Sequence, residues 1–314
     1  MSNSKTITFF MLVTNNDCLF ANYAINSFKK IFIRLNDIQK KQFTLFIYLN
    51  NLSQENKSKY IKKWNNLPFS KIFDNSEKLK TLNLKAGEII TSPEGIERKR
   101  DGLNENYDEL WSTELIKFNT DYIATVDADF EILNADFYFY LLGKLEDPNC
   151  LIASTSYNPS SFHYDSYSNR NLYLHERNHT WFCIYKKETF EISKVSHFYF
   201  EKYSEEHNMV HAFDSAAYFQ NDVKNKTGGK FVHLPKKYHN TFIHYGAGSK
   251  NKSITKNNVW FYRALFIIKT AGIFHVVEPN KLMKNIDRIA KKSARKFFKK
   301  FFHSIEKERR SYHH

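Results

Sequence analysis

Cysteine, glycine-rich phosphate loops and long uninterrupted apolar runs are scarce or missing in this sequence of 314 residues. Its three cysteines, Cys18, Cys150 and Cys183, are far apart and lack the spacing of a metal site, which favours a reducing compartment. The first apolar run, residues 7–13, is too short for a signal-peptide core with its usual flanks. We therefore expect it to be a strand.

The most apolar long stretch, residues 259–277, is interrupted by one arginine, one lysine and one histidine. Such polar side chains favour a buried or interfacial helix over a membrane span. Apolar residues still make up 42% of the chain and aromatic residues 17%, which indicates a folded protein with an ample core. Without an internal repeat or a linker, we expect one domain over 1–255 and a C-terminal helical extension over 256–314.

The formal net charge of +14 belongs largely to the C-terminal tail, where twelve basic and three acidic side chains follow from Lys281 on. On a helical wheel, residues 282–310 place apolar side chains on one side and basic ones on the other. This predicts a helix that lies on an anionic membrane surface and a cytoplasmic protein, peripheral on the inner face of the membrane. A helix that packs on the domain or on a partner subunit is the alternative. No nucleic-acid motif accompanies the charge, so we expect no nucleic-acid partner.

Short apolar segments alternate with amphipathic ones, which predicts an α/β fold with a mostly parallel central sheet flanked by helices. The expected strands are 6–13, 43–49, 70–73, 122–126, 150–154, 181–185, 231–234 and 241–244. Helices are expected from Asp17 as a cap, from Ser53, and at 107–118, 135–145, 187–205 and 214–221. Residues 91–105 and 156–180 are expected to be loops, the second with aromatic side chains suited to sugar stacking.

Asp127 and Asp129 directly follow the expected strand 122–126. Because ligands bind beyond the carboxyl ends of parallel strands, both carboxylates can turn toward one ligand there. Hard cations such as Mn²⁺ or Mg²⁺ take such oxygen ligands and neutralise charge on a leaving diphosphate. A surface pair that caps the next helix is the alternative.

The segment 110–129, with its Asp127-Ala128-Asp129, resembles the helix, strand and Asp-x-Asp motif of GT-A fold glycosyltransferases. The turn after the first strand is similar to their nucleotide-binding turn. The resemblance covers about residues 6–250, and likeness to family 2 or to family 8 is left open. It implies a Rossmann-like GT-A fold, a metal held by the aspartates, and a nucleotide-sugar donor contacted by Thr14, Asn16 and Asp17.

The segment His244-Tyr-Gly246-Ala-Gly248-Ser-Lys250 resembles the late motif of family 8-like members, although its glycines stand at different positions and no Pro-Trp follows. In those enzymes the histidine is the third metal ligand, while the glycine and lysine hold the diphosphate. The residue types alone support the same chemistry, because imidazole binds metals, glycine admits phosphate to the backbone and lysine supplies charge. A surface turn is the alternative.

Asp214 looks like the acidic residue that opens a helix over the acceptor in GT-A enzymes, which makes it the candidate catalytic base. A plain helix cap is the alternative. Lys117, or a basic residue of the loop 91–104, is a candidate contact for the nucleotide or its pyrophosphate.

These features predict a metal-dependent hexosyl-type glycosyltransferase that moves a sugar from a nucleotide-sugar donor, a UDP-sugar, to a glycan or lipid-linked acceptor. Bacterial surface polysaccharide or lipooligosaccharide synthesis is the expected setting. Two alternatives are a metal-dependent nucleotidyltransferase, which usually needs a glycine-rich or basic phosphate loop, and a non-catalytic basic scaffold at the membrane.

Overall fold

The chain divides into two compact units, Met1–Gly246 and Ala247–His314, in this computed structural model. Of the second unit the structure describes one helix, so the predicted boundary at residue 255 stays a prediction. The predicted tail helix over 282–310 lies outside the described residues. These are 5–50, 52–74, 89–91, 97–99, 114–165, 170–195, 197, 200–204, 209–246 and 259–270.

The described strands and helices alternate through most of the first unit. The strands are β1 (Ile7–Thr14), β2 (Phe43–Asn50), β3 (Ser70–Asp74), β4 (Ile89–Thr91), β5 (Glu97–Lys99), β6 (Tyr122–Val126), β7 (Phe130–Ile132), β8 (Cys150–Ser154), β9 (Tyr157–Asn158), β10 (Ser161–Asp165), β11 (Arg170–Leu174), β12 (Arg177–Asn178), β13 (Phe182–Lys186), β14 (Phe200–Ser204), β15 (Met209–Phe213), β16 (Lys230–His233) and β17 (Phe242–His244). The α-helices are α1 (Cys18–Ser27), α2 (Lys29–Phe32), α3 (Asp37–Lys41), α4 (Gln54–Asn65), α5 (Asp136–Leu145), α6 (Thr189–Ile192), α7 (Ala217–Thr227) and α8 (Val259–Thr270). Short 3₁₀ helices span Leu115–Lys117 and Lys236–Tyr238.

A central sheet of seven described strands has the order β16-β8-β13-β6-β1-β2-β3. Neighbouring strands are parallel except at β13, which runs antiparallel to both β6 and β8. The predicted α/β fold with a mostly parallel central sheet is therefore confirmed. The carboxyl ends of β1 and β6 lie at one edge of the sheet, where the candidate site is found.

The core lies on both faces of this sheet, which explains the near-continuous apolar sequence of β1. Successive side chains of a strand point to opposite faces. Phe9 packs on one face, with its ring centroid 5.1 Å from that of Phe28 after α1. Phe10 packs on the other face, in a cluster with Phe190 of α6 and Phe219 of α7. Both phenylalanines of β1 are almost fully buried.

Local capping agrees with the sequence at one helix and differs at another. The Ser53 hydroxyl accepts a hydrogen bond from the Asn56 N–H at 3.3 Å, so α4 starts as predicted. Asp17 stands before α1 but its side chain does not cap that helix. It accepts instead from the N–H and hydroxyl of Thr14, at 2.9 and 2.6 Å. The predicted cap was wrong because the preceding strand end competes for the same carboxylate.

A second sheet, in the order β10-β11-β15-β14, replaces two predicted elements. Residues 156–180 were expected to be a loop but contain β9 to β12, where aromatic and apolar side chains at alternating positions suit strands. Residues 187–205 were expected to be a helix, but the described residues of this range form α6 followed by β14. The backbone of β14 pairs antiparallel with β15, which satisfies the hydrogen bonds that a helix would have made.

The structure also differs from the predicted helix at 107–118 and the predicted loop at 91–105. Of the helix expected at 107–118 the structure describes residues 114–118, where Leu115–Lys117 forms a single 3₁₀ turn. The loop expected at 91–105 contains β5, which pairs antiparallel with β4. Among the described helices, none combines the length and the apolar character that crossing a membrane requires.

Candidate metal centre

Asp127 and Asp129 stand at the edge of the central sheet where the parallel strands β1 and β6 end. The Asp127 N–H donates a hydrogen bond to the Trp181 carbonyl at 3.0 Å, across the pairing of β6 with β13. The Phe130 N–H donates to the Asp127 carbonyl at 3.1 Å, which closes a tight turn between β6 and β7. The backbone of both aspartates is therefore set by the sheet.

A two-stranded ribbon brings the third residue, His244, to the aspartates across a separation of 117 positions from Asp127. β17 pairs antiparallel with β7, so that His244 stands opposite Phe130. The Tyr245 N–H donates to the Asp129 carbonyl at 3.1 Å. The ribbon is anchored further because the buried Tyr245 hydroxyl donates to the buried Glu131 side chain at 2.6 Å.

The side chains of Asp127, Asp129 and His244, here called the metal cluster, converge on one point. His244 Nε2 lies 3.3 Å from Oδ2 of Asp127 and 3.2 Å from Oδ1 of Asp129. One ligand atom from each residue lies within 4.8 Å of the others. The Asp127 side chain is 31% exposed, against 10% for Asp129 and 12% for His244, so the cluster opens to solvent on the Asp127 side.

The charge of the metal cluster fits a hard divalent cation. Burial lowers the pKa of His244, but hydrogen bonds and the negative charges of both aspartates outweigh it and raise the pKa to about 9. Without an ion, the protonated imidazole offsets the two carboxylates at neutral pH. A divalent cation offsets them as well and releases that proton, since a ligating imidazole must be neutral. Two carboxylates with one imidazole can thus hold Mn²⁺ or Mg²⁺, the predicted ions.

A stack of three rings supports the metal cluster from one side. The Trp181 and His244 ring centroids are 4.0 Å apart with planes at 22°. On the other face of Trp181 lies His179, at 4.1 Å and 21°. The sequence predicts that aromatic residues of the segment 156–181 stack on a sugar. Trp181 is instead occupied by protein rings on both faces.

The predicted nucleotide turn lies at the same sheet edge. Thr14 and Asp17 hydrogen-bond each other, and the Asp17 N–H also donates to the Thr14 carbonyl at 3.1 Å. Asn15 accepts from the Ser53 N–H at 2.7 Å, which ties the turn to the start of α4. Asn16 is exposed. The structure therefore brings Thr14, Asn16 and Asp17 to the edge that carries the metal cluster, in a turn with fixed backbone.

Asp214 follows β15 and stands three residues before α7 begins. Its carboxylate forms an ion pair with the buried Arg177 and accepts from the Ser215 N–H at 2.7 Å. Arg177 also donates to the Ser215 carbonyl at 2.9 Å. Asp214 is therefore not the cap of α7, because its oxygens bind Arg177 and the next backbone amide.

His179 connects this ion pair electrostatically with the metal cluster. Burial and, after it, the Arg177 charge lower the pKa of His179 to about 4, while Asp214 acts in the opposite direction. His244 and Asp127 also act on His179. Asp214 and two members of the cluster thus all act on the charge of His179. Neither Arg177 nor His179 belongs to a motif that marks it in the sequence.

The remaining residues predicted to contact the donor lie in different parts of the structure. Lys117 is exposed and pairs with Glu114 at 3.2 Å. The carbonyl of the neighbouring Ile116 accepts from Lys187, which follows β13 where β6 begins, so Lys117 is not brought to the metal cluster. Gly246 has a φ of +52° with open space around its Cα, a conformation that favours glycine. Gly248 and Lys250 lie outside the described residues.

Comparison with known proteins gives no match to a family model and none to a curated protein sequence. Solved structures do match. A mannosyltransferase from Pyrobaculum calidifontis, solved with GDP-Man and Mn²⁺, is 10% identical with a TM-score of 0.46, over 92% of this chain and 70% of that one. The bifunctional glycosyltransferase WbbM is 12% identical at 0.39, over 87% and 45%. Mouse xyloside xylosyltransferase 1 is 10% identical at 0.39, over 73% and 85%.

All three are sugar transferases. They belong to the class of enzyme that the sequence resembles. Because the identities are near 10% and the TM-scores are below 0.5, nothing about the donor or acceptor of this chain follows from them.

Proposed function

We propose that this protein is a metal-dependent glycosyltransferase that transfers a hexosyl group from a nucleotide-sugar donor, a UDP-sugar, to a glycan or lipid-linked acceptor. The observation that carries the proposal is the metal cluster at the carboxyl edge of a mostly parallel sheet, beside the turn after β1. Open α/β sheets bind nucleotides at this edge. A divalent ion bound there would supply positive charge to the leaving diphosphate.

The residues of the chain divide the remaining tasks in this proposal. Asp127, Asp129 and His244 hold the ion, and the turn of Thr14, Asn16 and Asp17 contacts the nucleotide. Asp214 takes the proton of the acceptor hydroxyl as general base. Its carboxylate accepts one hydrogen bond on each oxygen, from Arg177 and the Ser215 N–H, and a carboxylate has further lone pairs with which to accept a third.

Calorimetric titration of the protein with UDP, with and without Mn²⁺, tests the metal and the nucleotide together. UDP should bind in the presence of Mn²⁺ and lose most of its affinity in chelator. In Asp127→Asn, added Mn²⁺ should no longer raise the affinity for UDP. Asp37→Asn is the matched control, because the Asp37 side chain is 95% exposed in α3, away from the cluster. UDP binding that is absent or independent of Mn²⁺ would overturn the proposal.

A screen of nucleotide-sugar hydrolysis identifies the donor and separates the competing enzyme. Release of free sugar and nucleoside diphosphate supports glycosyl transfer. Release of pyrophosphate from a nucleoside triphosphate and a sugar phosphate would show a nucleotidyltransferase, which can use a similar carboxylate cluster.

We also propose that the basic segment 282–310 attaches the enzyme to the inner face of the cytoplasmic membrane, in bacterial surface-glycan synthesis. The support is the excess of basic over acidic side chains after Lys281 and their helical periodicity with apolar residues. The full chain should float with anionic vesicles and not with neutral ones. Replacing Lys291, Arg295 and Lys299 with glutamine should reduce flotation severalfold, and unchanged flotation would refute this role.

A further inference from the structure

Trp181 contacts two members of the metal cluster through different atoms. Its carbonyl accepts the Asp127 N–H at 3.0 Å. Its indole lies against the His244 imidazole with centroids 4.0 Å apart and planes at 22°. A substitution at position 181 retains the backbone contact and changes the ring contact. The two effects can therefore be separated by experiment.

The second face of the indole is also filled. The His179 ring stacks there at 4.1 Å, and His179 is buried. Its N–H donates to the Ser156 carbonyl at 2.9 Å, and its carbonyl accepts the Ser154 hydroxyl at 2.7 Å. Because His179 is fixed to the end of β8, Trp181 cannot tilt away from His244 without displacing a buried ring.

The orientation of the His244 ring matters because only one nitrogen faces both carboxylates. A metal-binding histidine usually donates its other ring N–H to a carbonyl or carboxylate, which fixes the ring. The side-chain hydrogen bonds of His244 to described residues all involve Nε2, and within that part of the chain no protein acceptor is found for Nδ1. Ring stacking is the remaining restraint that the described structure places on the imidazole plane.

We propose that Trp181 is a positioning residue that holds the His244 imidazole toward Asp127 and Asp129 by stacking, in place of a hydrogen bond to Nδ1. The inference rests on the metal site of the proposed function and adds a residue to it. Trp181 does not touch the ion, the donor or the acceptor in this role. It acts through His244.

Mn²⁺ affinity, measured from the electron paramagnetic resonance of the free ion, tests the role without any assay of activity. Trp181→Leu removes the flat ring and should weaken Mn²⁺ binding about tenfold, the lower end for loss of an outer partner of a metal ligand. Trp181→Phe keeps an aromatic face and should stay within about threefold of the wild type, as expected for a partial loss of ring contact. Trp260→Leu is the matched control, since Trp260 is 56% exposed in α8.

Tryptophan fluorescence gives a second readout that does not depend on a destabilising variant. Mn²⁺ is paramagnetic and should quench the fluorescence of Trp181, one of four tryptophans. The quenching should be half complete at the Mn²⁺ concentration that half-saturates the protein in the electron paramagnetic resonance titration. Quenching should persist in Trp260→Leu. It should disappear in Trp181→Phe although Mn²⁺ still binds.

The outcomes separate this inference from the proposed function. A wild-type protein that binds no Mn²⁺ refutes the metal site and with it the role of Trp181. A wild type that binds Mn²⁺ without quenching, or a folded Trp181→Leu with unchanged affinity, refutes only the role of Trp181. If Trp181→Leu does not fold by circular dichroism, the quenching and the Trp181→Phe affinity decide, and a tenfold loss in Trp181→Phe would contradict positioning by an aromatic face.

Discussion

Lowering the pH from about 6.5 to about 5 probes two buried histidines beside the candidate site. His197 and His179 are 3% and 6% exposed. Burial first, and the Arg177 charge after it, lower the pKa of His197 to about 3 and that of His179 to about 4. In the unfolded chain both titrate near 6.5. Below that pH the unfolded chain binds protons that the folded chain does not, so the free energy of unfolding decreases as the pH falls.

The size of the effect follows from the number of groups. Each histidine contributes up to about 1.4 kcal/mol per pH unit, and less near pH 6.5, where the unfolded imidazole is about half protonated, so the pair gives roughly 3 kcal/mol over the window. His244 opposes this slope only near pH 6.5, because its pKa of about 9 keeps it protonated in the folded state while about half of it is unprotonated in the unfolded chain at that pH. His175, whose pKa burial and His211 lower to about 4, is partly exposed and adds less.

Urea denaturation at four pH values between 6.5 and 5, in chelator, measures this slope. His197→Asn and His179→Asn should each reduce it by about half, since each removes one titrating group. His239→Asn should leave it unchanged, because His239 is exposed. The slope is the readout, since either core variant also loses packing at every pH. A slope below about 1 kcal/mol per unit, or one that neither core variant changes, would refute the reasoning.

Three further experiments test separate parts of the structure. Tyr245→Phe removes the hydroxyl that donates to buried Glu131 and should lower the free energy of unfolding by about 1–2 kcal/mol in urea; an unchanged midpoint would show that this bond contributes nothing. Asp214→Asn should lower sugar transfer by about 10²-fold or more and leave Mn²⁺-dependent UDP binding intact in calorimetry; loss of UDP binding would contradict a role confined to the acceptor. Gly228→Ala should cost about 1 kcal/mol at its φ of +67°, whereas Gly143→Ala, at an open position in the last turn of α5, should gain about 0.5–1 kcal/mol in thermal melts; equal effects would contradict the backbone argument.

The aspartate pair could be located from sequence because two independent signals agree there. Residues 122–126 are all buried in β6, and the carboxylates begin where the apolar run stops. The end of a buried strand is where a chain must turn into solvent, so its polar residues gather at the ligand-binding edge. His244 is 117 positions from Asp127 and no local pattern joins the two. Its resemblance to a known motif is what points to it in the sequence.

The sequence does not predict the second sheet because the alternation of aromatic and polar residues in its strands is short. β10 and β11 have five residues each, and Phe162 and Tyr164 of β10 are exposed. Alternation over only five residues, within a segment rich in serine and asparagine, is also compatible with a loop. Pairing of β11 with β15, more than thirty positions later, supplies what the local sequence cannot show.

The ring stack depends on the direction of β13, which the sequence of that strand does not encode. Phe182–Lys186 is a short, mostly buried run that would pack equally well in either direction. Were it parallel to β6, its first residues would lie at the opposite edge, roughly 16 Å from Asp127 for a five-residue strand. Because β13 is antiparallel, Phe182 pairs with Val126, and the preceding Trp181 meets the residue after β6. One reversed strand therefore brings Trp181 and His179 to the edge where the parallel strands place the carboxylates, and local periodicity could not predict this contact.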